Sequence, residues 1–269
     1  MSPVTRLAIT ILTLAVLAAC ASDPRKAEPR ALNDQAHAER IVFQSYTTRG
    51  ITATNSDQSR LPKEARLVDA FRALQVLARR PDIDGQRIGI TGYSFGGIVA
   101  LQSSSLDVAT ALGDGLQFAA HMPVYPQCIA WYEDLRYTNA PVHIVSGELD
   151  DYTPAAPCER YTRELREHGY DVRISVYPGV EHGFVGNIHD QYCADCVNMS
   201  QCGRILIDED GNGRYVRADG SVITTGNGWS EFYRKFFAAC ATRGATVDGD
   251  PDARDRLLHD TAAFFHASL

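Results

Sequence analysis

A chain of 269 residues with 45% hydrophobic and 22% charged side chains can bury one large core and is too apolar to be a disordered polymer. Its formal charge of −7, without any run of Lys or Arg, offers no electrostatic footprint for a phosphate backbone. Nucleic acid is therefore excluded as an expected partner.

At the N-terminus Arg6 precedes an apolar run from Leu7 to Ala19, short for a membrane span and of signal h-region length. Leu17-Ala18-Ala19-Cys20 resembles the lipobox of bacterial lipoproteins, which implies lipidation of Cys20 as the first mature residue. An ordinary cleaved signal peptide is the alternative, and both readings export the chain. Ala21 after the cysteine, rather than Asp, implies outer-membrane rather than other periplasmic placement by the same resemblance. Residues 1–20 are thus read as a signal peptide, 21–40 as a polar tether and 41–269 as the folded domain, with membrane contact only through the anchor or signal peptide. Export gives meaning to the remaining cysteines, Cys128, Cys158, Cys193, Cys196, Cys202 and Cys240. An even set in an oxidising compartment allows three disulfides in about fifteen connectivities. Cys193 and Cys196 form a C-x-x-C, a redox or zinc half-site in other settings; without a second half-site, bridging is the better reading.

"IVFQSY", residues 41–46, is the first strand candidate of the domain. From Lys63 to Arg80 the residues Leu67, Phe71, Leu74 and Ala78 recur at helical spacing, with Val68 and Leu77 widening the stripe and Pro81 stopping the helix. "RIGIT" is a buried strand and "FGGIVALQSSS" opens a helix; further strands are expected within 116–125, 140–147 and 170–179. Between the last two, Thr153 supplies an N-cap and Pro154 a first-turn proline, Cys158, Tyr161 and Leu165 share one face, and Gly169 ends the helix. In the final helix Leu258, Ala262, Phe265 and Leu269 lie in one row. Strands alternating with helices imply a mostly parallel sheet covered on both faces. Residues 190 to about 249 break the rhythm with four of the cysteines and a strand-turn-strand pattern, an excursion before the last helix.

Gly92-Tyr93-Ser94-Phe95-Gly96 is a G-x-S-x-G directly after a strand and opening a helix, the context that gives this motif meaning. Glycines two residues either side allow strand and helix to approach while Ser94 holds a strained backbone. The N–H of Phe95 would then donate to an oxyanion, aided by the helix N-terminus. A serine hydroxyl also needs a base, and the base an orienting carboxylate. Asp150 and Asp151 follow the next-but-one strand and His182 follows the last strand, in the chain order of α/β hydrolases.

"VDAFRALQVLARRPDIDGQRIGITGYSFGG", "SGELDDYTPAAPCERY" and "YPGVEHGF" resemble the dienelactone hydrolase family of α/β hydrolases from about Ile41 to His182 and again in the C-terminal helix. The resemblance implies Ser94 as nucleophile, His182 as base with Phe184 as packing, and Asp150 as the triad acid, leaving Asp151 to cap a helix or take a salt bridge. It also implies a small ester or lactone as substrate and no cofactor. Family members carry a His-Gly loop upstream of the nucleophile that gives the second oxyanion N–H; here the His-Gly pairs are His168-Gly169 and His182-Gly183, both downstream. The chain therefore reads as N-terminally shortened, with the sheet position between the "IVFQSY" and "RIGIT" strands empty or newly paired. The loop from Tyr46 to Arg49 is the candidate substitute donor. The competing class is a non-catalytic envelope protein on the same scaffold, followed by a thiol-redox role through Cys193 and Cys196.

Two further patterns remain. Asp208, Asp210, Asn212 and Asp219 approximate a calcium loop, with a polar β-turn as the stronger reading, so no metal is expected. Trp229, Phe232, Tyr233, Phe236 and Phe237 line a substrate pocket or, at helical spacing, belong to the core. Oligomeric state is left open.

Overall fold

The computed structural model of the protein describes residues 9–14, 38–43 and 45–269. In chain order its elements are β1 (Ile9–Leu14), β2 (Ala38–Val42), α1 (Lys63–Ala78), β3 (Ile88–Tyr93), α2 (Phe95–Gln102), α3 (Leu106–Leu112) and β4 (Ala120–Val124). There follow β5 (Ala130–Tyr132), β6 (Val142–Gly147), α4 (Ala155–Glu167) and β7 (Val172–Tyr177). The last part holds β8 (Gln191–Asn198), β9 (Ile205–Ile207), β10 (Gly213–Val216), β11 (Val222–Thr224), α5 (Trp229–Cys240), β12 (Thr242–Val247) and α6 (Pro251–Ser268).

Six strands form the central sheet in the order β2-β1-β3-β4-β6-β7, every neighbouring pair parallel. The chain direction across the sheet reverses at β1 and β3, and such a switch point opens a crevice at the carboxyl ends of the strands. β4 and β6 are buried along their whole length, as continuous apolar strands covered on both faces must be. On one face α1 packs Leu67, Phe71 and Leu74 against Ile88, Ile90 and Val99. On the other, α6 packs Leu257, Phe264 and Phe265 against Met122 and Val145.

The position between β2 and β3 is occupied. β1, drawn from the run read as a leader, pairs parallel with β2 on one side and β3 on the other. Its sequence ITILTL is β-branched and apolar, which suits a pleated buried strand as well as it suits an h-region. β2 begins at Ala38, inside the segment read as tether. Cys20, its lipobox and the rest of that tether lie outside the described residues.

Two helix faces differ from the sequence expectation. Val68 is 40% exposed and does not widen the buried stripe of α1. In α6 the buried positions are Ala253, Leu257, Phe264 and Phe265, while Leu258 and Ala262 face solvent, so the buried face is rotated by about one residue from the expected row. A single row of four cannot define the face when apolar residues also stand beside it, and packing on the sheet decides between them.

The Cys-rich excursion is built from two small sheets and α5. β8 and β12 pair antiparallel; β9, β10 and β11 form a meander that joins the central chain through β5, parallel to β9. The disulfides are Cys128–Cys158, Cys193–Cys196 and Cys202–Cys240. The first ties the segment after β4 to α4, and the third ties the β8–β9 connection to the end of α5. Among the calcium-loop candidates, the Asp208 carboxylate accepts from the N–H groups of Asp210 and Asn212, while Asp219 accepts from Ser221. These are two separate hairpin turns at opposite ends of β10, so the four side chains do not converge on one ion.

Candidate active site

β3 ends at Tyr93 and α2 begins at Phe95, leaving Ser94 alone to turn the chain. Its φ of 53° and ψ of −114° are a conformation side chains rarely adopt. The strain is held by neighbours: Ser94 N–H donates to Val124 O and Ser94 O accepts from Ile98 N–H, both at 3.0 Å. The close approach also explains two glycines. A Cβ on Gly92 would fall on the carbonyl of Gly96, and one on Gly97 would stand 2.6 Å from Val124 O.

The carboxyl ends of β6 and β7 bring the other two residues to this turn. His182 Nε2 lies 2.9 Å from Ser94 Oγ, and His182 Nδ1 lies 2.8 Å from Asp150 Oδ2. Asp150 and His182 are 4% and 2% exposed, so this contact is made almost without water. Asp150 Oδ1 accepts from the N–H groups of Tyr152 and Thr153 at 2.9 and 2.7 Å. Burial alone pushes the Asp150 carboxyl pKa up; the facing His182 and the hydrogen bonds from His182 and Thr153 outweigh it and hold the group below its usual range. An ionised Asp150 accepts at Oδ2, which puts the imidazole proton on Nδ1 and leaves Nε2 as acceptor for the serine hydroxyl.

Thr153 was expected as an N-cap. The cap of α4 is Pro154, with no side-chain capping bond. The Thr153 hydroxyl instead lies 3.0 Å from Asp150 Oδ2, 3.1 Å from His182 Nδ1 and 3.1 Å from Tyr125 O. Its spacing from Asp150 was visible in the sequence, but its inward direction depends on β4 lying alongside. Asp151 neither caps the helix nor forms an ion pair among the described residues: its carboxylate accepts from the Thr246 N–H and hydroxyl at 2.9 and 3.0 Å. Asp248 N–H donates to His182 O at 3.1 Å. Through these contacts β12 clamps the acid loop and the histidine loop together. The excursion is thus a support of the site.

Edges of two aromatic rings, Tyr125 at 4.7 Å and Tyr152 at 4.8 Å between centroids, fix the imidazole plane. Neither was singled out from sequence. Tyr125 leaves β4 at φ 36°, and burial, with Tyr93 and Asp150 nearby, pushes its phenol well above the usual range. Phe184 packs against Tyr125 at 5.0 Å, consistent with the packing place the resemblance implied.

The N–H of Phe95, in the first turn of α2, donates to no described residue. In the candidate substitute loop from Tyr46 to Arg49, the N–H of Arg49 is consumed by Tyr46 O, and that of Gly50 just after it by Thr47 O. The stretch that leaves the carboxyl end of β1, where a second donor belongs, starts at Ala15, outside the described residues. The Phe95 side chain stacks on the buried Arg66 guanidinium at 3.6 Å. It also borders a cavity of about 280 Å³ shared with Ile98, Met199, Trp229, Tyr233 and Phe237. The aromatic row of α5 is therefore divided: Phe232 is core, Phe236 is core and also borders the cavity, and Trp229, Tyr233 and Phe237 face it.

The strand order, the strained turn at Ser94 and the three converging loops define an α/β hydrolase. Residues 31–200 match the model of the dienelactone hydrolase family. The chain belongs to that family. A Synechocystis protein named "Putative carboxymethylenebutenolidase" is 24% identical over 156 residues, 56% of this chain and 62% of that protein. A Bradyrhizobium protein named "Probable 2-oxo-3-(5-oxofuran-2-ylidene)propanoate lactonase" is 21% identical over 129 residues, 47% of this chain and 51% of that one. The chain thus spans a little over half the length of these curated relatives. Among solved structures, one titled "Putative Dienelactone Hydrolase" from Klebsiella pneumoniae aligns over 66% of this chain and 76% of its own, at 19% identity and a TM-score of 0.48.

Proposed function

We propose that this protein is a serine hydrolase of small carboxylic esters or lactones, acting through an acyl-enzyme. Ser94 Oγ attacks the carbonyl carbon while its proton passes to His182 Nε2. The carbonyl oxygen becomes an oxyanion facing the Phe95 N–H and the α2 N-terminus. Collapse of the tetrahedral species breaks the ester C–O bond, and the proton on Nε2 goes to the departing alkoxide. Water then repeats the sequence on the acyl-serine, with His182 again as base. Asp150 holds the tautomer and stabilises the imidazolium. The observation that carries this reading is the continuous path Ser94 Oγ, His182, Asp150 at 2.9 and 2.8 Å. Family membership supports the ester or lactone class.

A fluorophosphonate probe tests it: folded wild-type protein is expected to be labelled covalently, and Ser94→Ala not at all. Absence of labelling in folded wild type would instead favour the non-catalytic envelope protein.

We further propose export as a lipoprotein processed before Cys20, supported by Arg6, the apolar run to Ala19 and the pairing of all six remaining cysteines. A chain processed there lacks β1, so leader and strand are exclusive uses of Ile9–Leu14. Intact mass of protein from the membrane fraction is expected to match a lipidated chain starting at Cys20; a mass retaining residues 1–19 rules the processing out.

A further inference from the structure

The cavity beside Phe95 is mostly apolar, with Gln58, Gln127 and Ser230 among its walls and its charged groups gathered at one place. Trp229, Tyr233 and Phe237 of α5 supply aromatic walls. At its edge stand Lys63 and Glu64, in the first turn of α1. Lys63 Nζ donates to Gln102 Oε1 at 3.0 Å and lies 5.0 Å over the Trp229 ring. Its distance to Glu64 Oε1 is 3.8 Å, close for charge but beyond a hydrogen bond. Glu64 Oε1 is buried and has no hydrogen-bond partner among the described residues, while the same carboxylate lies against the Tyr233 hydroxyl, which burial and Glu64 together push well above the usual phenol range. Burial pulls the Lys63 pKa down, opposed by Glu64, the signature of an ammonium held out of water.

An ammonium with unspent N–H groups and an unpartnered carboxylate oxygen, side by side in a mostly apolar space, do not fit a plain hydrocarbon. A carboxylate ligand would satisfy Lys63 but repel Glu64. A hydroxyl satisfies both, since it accepts from one and donates to the other. The volume of about 280 Å³ exceeds the roughly 150 Å³ that holds a benzene ring, and the cavity is bordered by Phe95, the residue after Ser94, which leaves room for a short linker.

Resting on the hydrolase reading, we infer that the cavity receives a hydroxyaryl acyl group. Its ring lies among Trp229, Tyr233 and Phe237, its phenolic hydroxyl bridges Lys63 and Glu64, and its carbonyl reaches Ser94. The excursion, which contributes α5 and Met199, is then the specificity element of the enzyme.

Binding to the Ser94→Ala protein tests this without turnover. Calorimetric titration with 3-(4-hydroxyphenyl)propanoate is expected to give a Kd about tenfold or more below that of 3-phenylpropanoate, the discrimination of one hydrogen bond to a charged group. That ratio is expected to fall toward one in Lys63→Met and in Glu64→Gln, the second at a partly exposed position that tolerates the change. Equal affinity for the two acids, or a ratio that survives both substitutions, overturns the inference. Loss of Ser94 labelling with the preference intact overturns the hydrolase reading and leaves the hydroxyaryl site standing.

Discussion

Asp150→Asn is expected to fold and to lower kcat about ten-thousandfold. The asparagine carbonyl can replace Oδ1 and still accept from the Tyr152 and Thr153 N–H groups. Its NH₂ then stands where Oδ2 was, 2.8 Å from His182 Nδ1. Two donors cannot face each other at that distance, so the imidazole proton moves to Nε2, and Nε2 becomes a donor toward Ser94 Oγ instead of a base. Thr153 adapts without cost, because its hydroxyl proton can turn to Tyr125 O. The same variant changes the acid limb of stability. The folded pKa of Asp150 is depressed, so its contribution is present above the unfolded carboxylate value of about 3.9 and is lost as pH falls through the folded value. Unfolding free energy measured from pH 6 down to pH 2 should therefore fall more steeply in wild type than in Asp150→Asn. Parallel curves, or a variant with near-native turnover, would remove Asp150 from the proposed triad.

Gly92→Ala is expected to destabilise the fold by about 3 kcal/mol or more, through overpacking rather than lost flexibility. The added methyl would collide with the Gly96 backbone carbonyl, which no rotamer change relieves. Strand β3 and helix α2 would have to separate, taking Ser94 out of reach of His182. Thermal unfolding should show Tm lower by roughly 10 °C. Gly220→Ala is the control: at φ 81° with open space around it, it carries only the left-handed backbone cost of about 1 kcal/mol. Equal losses at the two positions would show that the close strand–helix approach at Gly92 is not what that glycine serves.

Much of the candidate site was legible because it is local. A glycine on each side of Ser94, an apolar run before it and a helix after it describe the turn within a few residues, and Asp150 and His182 each directly follow a strand that its own composition reveals. Strand ends of a parallel sheet share one edge, so three such loops converge whatever the detailed packing. The alternation of strands and helices gave the sheet, and the break after residue 190 gave the excursion.

What the sequence determined by itself, then, is the class of sheet, the turn at Ser94 and the loops that bear Asp150 and His182. Tertiary structure alone decided the pairing of six cysteines, since fifteen connectivities share one composition, and the rotation of α6, since neighbouring rows are equally apolar. It also decided that Thr153 turns inward to Asp150 and His182, that Asp151 is spent on Thr246, that β12 returns to clamp the site, and that α5 walls the cavity beside Phe95. Each depends on which distant segment lies alongside, and side chains acquire such partners only when the chain is packed. The run Ile9–Leu14 shows the same principle in reverse: β-branched apolar residues suit a leader and a central strand equally, and the pairing with β2 and β3 is available only to a chain that retains them.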